Sequence, residues 1–173
     1  MLVDSYRHLG NTIPVMPDLN STVATELSRF YQEKADAILT LLEPLTDDQL
    51  WARPYPYGNS IGHLLLHLTG NLNFYVGAEI AGTGYVRNRP LEFTDSERHP
   101  KALLLDRFRQ AVALVRDTLA RQSPDDFCAA YSAKGLEHAG TRFNLFVVCA
   151  AHLAHHTGQM IYLSRELERQ KGA

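Results

Sequence analysis

The stretch His152-Leu-Ala-His155-His156-Thr-Gly-Gln159 places two imidazoles, those of His152 and His156, four residues apart. Residues with this spacing lie on the same face of a helix, so both side chains can reach one metal ion. The surrounding sequence, from Arg142 to about Gln170, contains no proline and is typical of a continuous helix. The stretch therefore predicts a long helix that carries a pair of metal ligands.

A second segment, Ser60-Ile-Gly-His63-Leu-Leu-Leu-His67, repeats the spacing. Steps of four and three residues along it give a stripe that is apolar at intervals and polar at its centre: Ser60, Leu64, His67, Asn71, Phe74 and Ala78. The same steps in the last helix give Leu145, Cys149, His152, His156, Gln159 and Leu163. Burial of so many polar groups in one layer is costly unless they are bonded. A divalent metal held by His67, His152 and His156 satisfies that requirement.

Two further histidines lie beside the three predicted ligands. His63 precedes His67 by four residues, which leaves an alternative pair, although its own stripe lies less centrally on the helix. His155 is rotated by about 100° from its neighbour His156 around the helix axis. We interpret His63 and His155 as residues that support the ligands or pack beside them.

Asn71 and Gln159 share the ligand stripes and have polar side chains. Either one can orient a ligand or a substrate, and a hydrogen bond within the core explains each of them equally well. No carboxylate lies at an obvious ligand spacing from the histidines, which disfavours an iron site of two histidines and one carboxylate.

Hydrophobic periodicity predicts four helices, over about 22–42, from a cap at Asn59 or Ser60 to about Ala81, over about 101–121 and over about 142–170. Residues 1–19 are expected to be an irregular lead-in. The segment from Gly82 to Pro100 is long enough to be a crossover or a functional loop. The sequence thus predicts an all-α fold, a four-helix bundle with a long crossover between helices 2 and 3, in a single domain spanning 1–173.

Composition restricts the classes of partner. A net charge of −2 gives no electrostatic reason to expect nucleic acid. The two cysteines, Cys128 and Cys149, form no disulfide framework, and no apolar run reaches the ~18 residues of a membrane span. We therefore expect a cytoplasmic protein that binds neither nucleic acid nor membrane.

Three segments resemble the DinB-like (YfiT-like) family. They are Ser60 to Asn71, His152 to Gln159, and the link Leu50-Trp51-Ala-Arg53-Pro54, and the resemblance extends from about residue 20 to 170. It implies a four-helix bundle with a divalent ion, nickel or zinc, held by His67, His152 and His156. Several characterised members of this family are S-transferases or isomerases that use low-molecular-weight thiols, and members often form homodimers.

An enzyme is therefore the leading hypothesis. A three-histidine ion with open coordination positions can activate a thiol for S-transfer or a water for hydrolysis, with a small molecule as substrate. The alternative is a non-catalytic bundle that binds a metal or a small molecule. A closed tetrahedral shell of protein ligands favours a structural ion, whereas an open position favours catalysis.

Overall fold

The computed structural model describes residues 18–171. In chain order the helices are α1 (Leu19–Leu42), α2 (Asp47–Trp51), α3 (Ile61–Leu72), α4 (Leu91–Thr94), α5 (Lys101–Leu119), α6 (Pro124–Cys128) and α7 (Arg142–Lys171). Two short strands, β1 (Ala130–Tyr131) and β2 (Gly140–Thr141), pair antiparallel ahead of α7. No helix in this range is long and apolar enough to cross a membrane.

The start of α1 is set by Asp18, whose Oδ1 accepts a hydrogen bond of 2.8 Å from the backbone N of Ser21. A side-chain oxygen at this position satisfies one of the free amides of the first turn. The helix consequently begins at Leu19, earlier than the Thr22 predicted from periodicity. The predicted irregular lead-in lies, up to residue 17, outside the described residues.

The helix that carries His67 is capped by Ser60, whose Oγ accepts a hydrogen bond of 3.2 Å from the backbone N of His63. Beyond its α-helical part the chain continues in a π-helical segment, Asn73–Ala78. The wider turn is visible in the bond from Ala81 N to Val76 O (2.9 Å). The sequence predicted an uninterrupted helix to about Ala81, because over six residues the apolar pattern fits both kinds of helix.

The four long helices form a bundle in which α1 and α3 each pack against α5 and α7. Helices α1 and α5 run antiparallel, since Asn20 Nδ2 donates to Gln122 O (2.9 Å) at one end and Lys101 Nζ donates to Glu43 O (2.9 Å) at the other. The core is mostly apolar, and the fully buried phenol of Tyr31 on α1 donates to the backbone O of Phe146 (2.7 Å).

Helices α3 and α5 begin at the same end of the bundle, where Trp51 joins them. The Trp51 ring lies against Gly62, and its Nε1 donates to His99 O (3.0 Å) just before α5. The chain between α3 and α5 must therefore return along the length of the bundle, with the short helix α4 on its way. The predicted all-α bundle with a long crossover between the second and third long helices is confirmed.

Candidate metal centre

The three predicted ligands meet in the core, where α3 faces α7. His152 Nε2 lies 3.1 Å from His67 Nε2 and 2.9 Å from His156 Nε2. His67 and His156 are 5% and 9% exposed, and His152 is partly buried. Each ring offers one nitrogen within 4.8 Å of the others, so the cluster can hold a metal ion.

The outer nitrogens of two of these rings are fixed by hydrogen bonds. His67 Nδ1 donates to Glu92 Oε2 (2.8 Å), and His156 Nδ1 donates to Gln159 Oε1 (2.7 Å). A neutral imidazole that carries its proton on Nδ1 presents a lone pair at Nε2. Both rings therefore direct a lone pair towards His152, which is the arrangement that a shared cation requires.

Burial keeps the α7 histidines neutral. Burial, reinforced by the nearby imidazoles, lowers the pKa of His152 to about 3. Burial also lowers the pKa of His156 to about 4, although the hydrogen bond to Gln159 opposes the shift. His152 Nδ1 is buried and has no hydrogen-bond partner within residues 18–171. Neutral imidazole nitrogens are typical ligands of zinc and nickel, so the donor set fits a divalent ion of this class.

Glu92 belongs to a buried ion pair. Arg87 donates to both of its carboxylate oxygens, through Nε at 2.7 Å and Nη2 at 2.9 Å, and the two side chains are 7% and 8% exposed. Burial raises the pKa of the Glu92 carboxyl, but the hydrogen bonds from His67 and Arg87 outweigh it, so the pKa lies below its ordinary value. The carboxylate is ionised at neutral pH and holds the proton of His67 on Nδ1.

A cavity of about 180 Å³ opens beside the cluster. Its walls include His67, His152, Asn71, Arg87, Arg89 and Cys149. A larger groove of about 630 Å³ lies between α3 and α5 and is lined by Gly70 and Glu92, but within residues 18–171 by none of the three histidines. The smaller cavity therefore gives a small molecule access to His67 and His152.

Comparison with known proteins identifies the family and the fold. The family model of the DinB superfamily matches residues 31–160. The chain belongs to the DinB superfamily. A crystal structure of a conserved protein from Enterococcus faecalis has the same fold, with a TM-score of 0.69 at 18% sequence identity over 84% of this chain and 96% of that one. A search of curated proteins found no significant match.

The two flanking histidines of this DinB protein lie outside the cluster. His63 is buried with its Nδ1 at 2.6 Å from Ser60 Oγ, and its ring meets the Trp51 ring edge-on. His155 is exposed and accepts a hydrogen bond of 3.1 Å at Nε2 from Gln159 Nε2. The alternative that His63 takes the place of His67 does not fit this geometry, because His63 lies one helical turn away from the site and is bonded elsewhere.

Sequence reasoning missed Glu92 and Arg87. Both lie in the crossover, where neither helical spacing nor strand alternation links them to the histidines. A chemical rule could have indicated that such a partner exists, because a metal-binding histidine usually donates the N–H of its other ring nitrogen to a carboxylate or a carbonyl. The length of the 82–100 segment and its acidic residues made it the place to look for such a carboxylate.

A second group of possible ligands, Asp95, Glu97 and His99, lies in the same crossover. His99 Nε2 is 3.5 Å from Asp95 Oδ2 and 3.6 Å from Glu97 Oε2, and the Glu97 side chain is 77% exposed. Exposed acidic groups commonly gather in this way without an ion. Asp95 and His99 are partly buried and only Glu97 is exposed, and we interpret the three as a polar cluster that closes the end of the crossover.

Proposed function

We propose that this protein is a metal-dependent enzyme in which His67, His152 and His156 hold a divalent ion, nickel or zinc, and a low-molecular-weight thiol is activated for S-transfer. The observation that supports it is the convergence of three imidazole Nε2 atoms beside an open cavity. The family resemblance supports the choice of a thiol.

A divalent ion bound by these residues would supply Lewis acidity, which lowers the pKa of a thiol or water beside it. In S-transfer the thiol loses its proton, its sulfur forms a bond to an electrophilic carbon of the second substrate, and the bond from that carbon to the leaving group breaks. The leaving group departs with the bonding electrons and takes up a proton from solvent. The reaction is redox-neutral and needs no further reactant.

The protein side chains have distinct roles in this proposal. Glu92 keeps the proton of His67 on Nδ1, so that Nε2 stays available, and Gln159 does the same for His156. Arg87 holds the Glu92 carboxylate in place through two hydrogen bonds. Burial lowers the pKa values of His152 and His156, so both rings are uncharged at neutral pH and each has one nitrogen lone pair to offer to a metal.

The same site supports a hydrolase, with a water in place of the thiol. The cavity supports either enzyme over a non-catalytic metal binder, since a structural ion is usually closed off by four protein ligands. Here three histidines converge and a cavity reaches two of them. A cytoplasmic location and a homodimer stay predictions. Cys128 and Cys149 are both unpaired, as is usual for a protein in a reducing compartment.

The ligand assignment is tested by metal analysis of the purified protein against its His67→Ala and His156→Ala variants. We expect near-stoichiometric metal in the wild type and a large loss in both variants. The exposed His138 provides a matched control, because His138→Ala removes an imidazole that does not line the cavity beside the α3–α7 cluster. Near-stoichiometric metal in both ligand variants would show that the assignment is wrong.

The reaction is tested with a panel of small thiols and an electrophilic acceptor, with and without a chelator. Thiol consumption that matches adduct formation, and that stops when the metal is removed, supports S-transfer. Hydrolysis of the acceptor at a rate independent of thiol supports the hydrolase instead. Turnover that the chelator does not affect would exclude both.

A further inference from the structure

Two arginines line the cavity beside the three histidines, and one of them has no counter-ion within residues 18–171. Arg87 is neutralised by Glu92, to which it makes two hydrogen bonds. The exposed Arg89, which also lines the cavity, makes neither an ion pair nor a side-chain hydrogen bond within residues 18–171 and lies over the Phe93 ring at 5.5 Å. No acidic residue of the described chain lines this cavity. Its electrostatic potential therefore favours an anion.

A second observation in the same cavity concerns Asn71. The side chain is 7% exposed and lines the cavity, and its Oδ1 is buried without a hydrogen-bond partner. Its Nδ2 makes no hydrogen bond to residues 18–171 either. Buried amides are almost always bonded, so an unbonded amide in a cavity wall indicates a molecule with an acceptor for Nδ2 and a donor for Oδ1.

We propose that this cavity binds the carboxylate of a small substrate, with Arg89 pairing with the carboxylate and Asn71 Nδ2 donating to one of its oxygens, while an N–H, O–H or S–H group of the same molecule donates to Asn71 Oδ1. This inference rests on the proposed function, because it places the reactive end of the substrate towards His67 and His152. It adds the substrate class: a small carboxylic acid rather than a neutral molecule.

The volume of the cavity and the charge of Arg89 both restrict the kind of molecule that can bind there. A volume of about 180 Å³ lies below the ~300–1,000 Å³ of pockets for drug-sized ligands. The planar guanidinium of Arg89 fits a carboxylate through two parallel N–H bonds. One free guanidinium balances the single negative charge of a carboxylate better than the double charge of a phosphate monoester.

The first test uses metal-free protein and no catalysis. Propanoate and its neutral analogue propanamide are titrated into ¹⁵N-labelled protein, and the Asn71 side-chain NH₂ resonances are followed by NMR. We expect propanoate to shift these resonances and propanamide to bind about tenfold more weakly or not at all, since a charged hydrogen bond is lost. Arg89→Gln should abolish the preference.

The matched control is Arg109→Gln, which removes the same charge from an exposed position on α5 that does not line the cavity. It should leave the propanoate titration unchanged. Propanoate that leaves Asn71 unshifted, or a response that Arg89→Gln does not alter, overturns the proposal.

The second test connects the cavity to the reaction. Mercaptoacetate and mercaptoacetamide are titrated into zinc-loaded wild type and Arg89→Gln, and the ratio of their affinities is compared. The two thiols differ in acidity, but that difference is the same in both proteins, so a change in the ratio isolates the carboxylate. We expect the preference for mercaptoacetate to fall about tenfold in the variant.

The outcomes separate the two proposals. If both thiols bind zinc-loaded protein and Arg89→Gln leaves the ratio of their affinities unchanged, the carboxylate assignment is wrong and the proposed thiol function stands. If neither thiol binds while propanoate still shifts Asn71 in an Arg89-dependent manner, the thiol function is wrong and the carboxylate site stands.

Discussion

Glu92 Oε2 lies 2.8 Å from His67 Nδ1, although 25 residues separate them in the chain. The crossover between α3 and α5 thus supplies a hydrogen-bond partner to a histidine that α3 supplies. Carboxylates in this position fix the orientation and tautomer of a metal-binding histidine and raise its basicity. The crossover is for this reason part of the candidate metal centre as well as a connection.

Replacing Glu92 by glutamine tests this relationship. Without the negative charge the Nδ1 proton of His67 is held less firmly, and we expect metal affinity to fall about 10- to 100-fold. The measurement is competition with a chelating dye, on protein whose helical content is unchanged by circular dichroism. Glu97→Gln is the control, because its side chain lies in the same crossover but is 77% exposed. Equal affinities in the two variants would contradict the role of Glu92.

A glycine on α3 makes room for Glu92. A Cβ at Gly70 would overlap the Glu92 carboxylate, so Gly70→Ala should displace that carboxylate from His67. We expect weaker metal binding and a lower free energy of unfolding, because the buried pair with Arg87 is disturbed as well. Both quantities are measured, by dye competition and by urea unfolding of the metal-free protein.

The control for Gly70→Ala is another helical glycine, Gly158 on α7. A Cβ there meets no heavy atom within 4 Å. Gly158→Ala should therefore stabilise the protein by about 0.4–1 kcal/mol, through the smaller conformational freedom of the unfolded chain. If Gly70→Ala also stabilises the protein, the close approach of Glu92 does not constrain this position.

Much of the bundle could be predicted because its information is local. Apolar residues at helical spacing and capping residues such as Ser60 locate the long helices to within a few residues. The polar centres of the two stripes also predict that His67, His152 and His156 lie close together, since a heptad-like seam places facing polar residues in one layer.

The partners of these histidines could not be predicted, because their positions depend on the path of an irregular segment. Arg87 and Glu92 are five residues apart in the crossover, and only the fold brings them to α3. The unbonded state of the Asn71 amide could not be predicted from the sequence for the same reason. Its stripe indicated burial, but whether it faced a bonding partner or a cavity depended on side chains from other elements.

The stability of the metal-free protein should depend on pH through His152 and His156. Their pKa values lie at about 3 and about 4 in the fold, against an ordinary value of 6.5. Below pH 6.5 the unfolded chain binds more protons than the folded one, so stability is complete above that pH and falls as the pH drops towards 4. Urea unfolding at several pH values measures the slope.

His152→Gln should flatten this slope by up to one proton, because one of the two depressed histidines is gone. His138→Gln, at an exposed position outside the three-histidine cluster, is the matched control and should leave the slope as it is. A slope that does not respond to His152→Gln would mean that this ring is not held neutral by burial.

The proposal requires the reacting thiol to come from a substrate, and Cys149 is the protein thiol that lines the cavity. Burial raises the pKa of Cys149 to about 12, although the charge of Arg87 opposes the shift. The thiolate is the reactive form of cysteine, so iodoacetamide at pH 8 should alkylate the exposed Cys128 and spare Cys149 in the native protein. Peptide mass spectrometry measures both sites, and urea-unfolded protein, alkylated at both, is the control. Rapid native alkylation of Cys149, with loss of turnover in Cys149→Ser, would instead make this side chain the nucleophile.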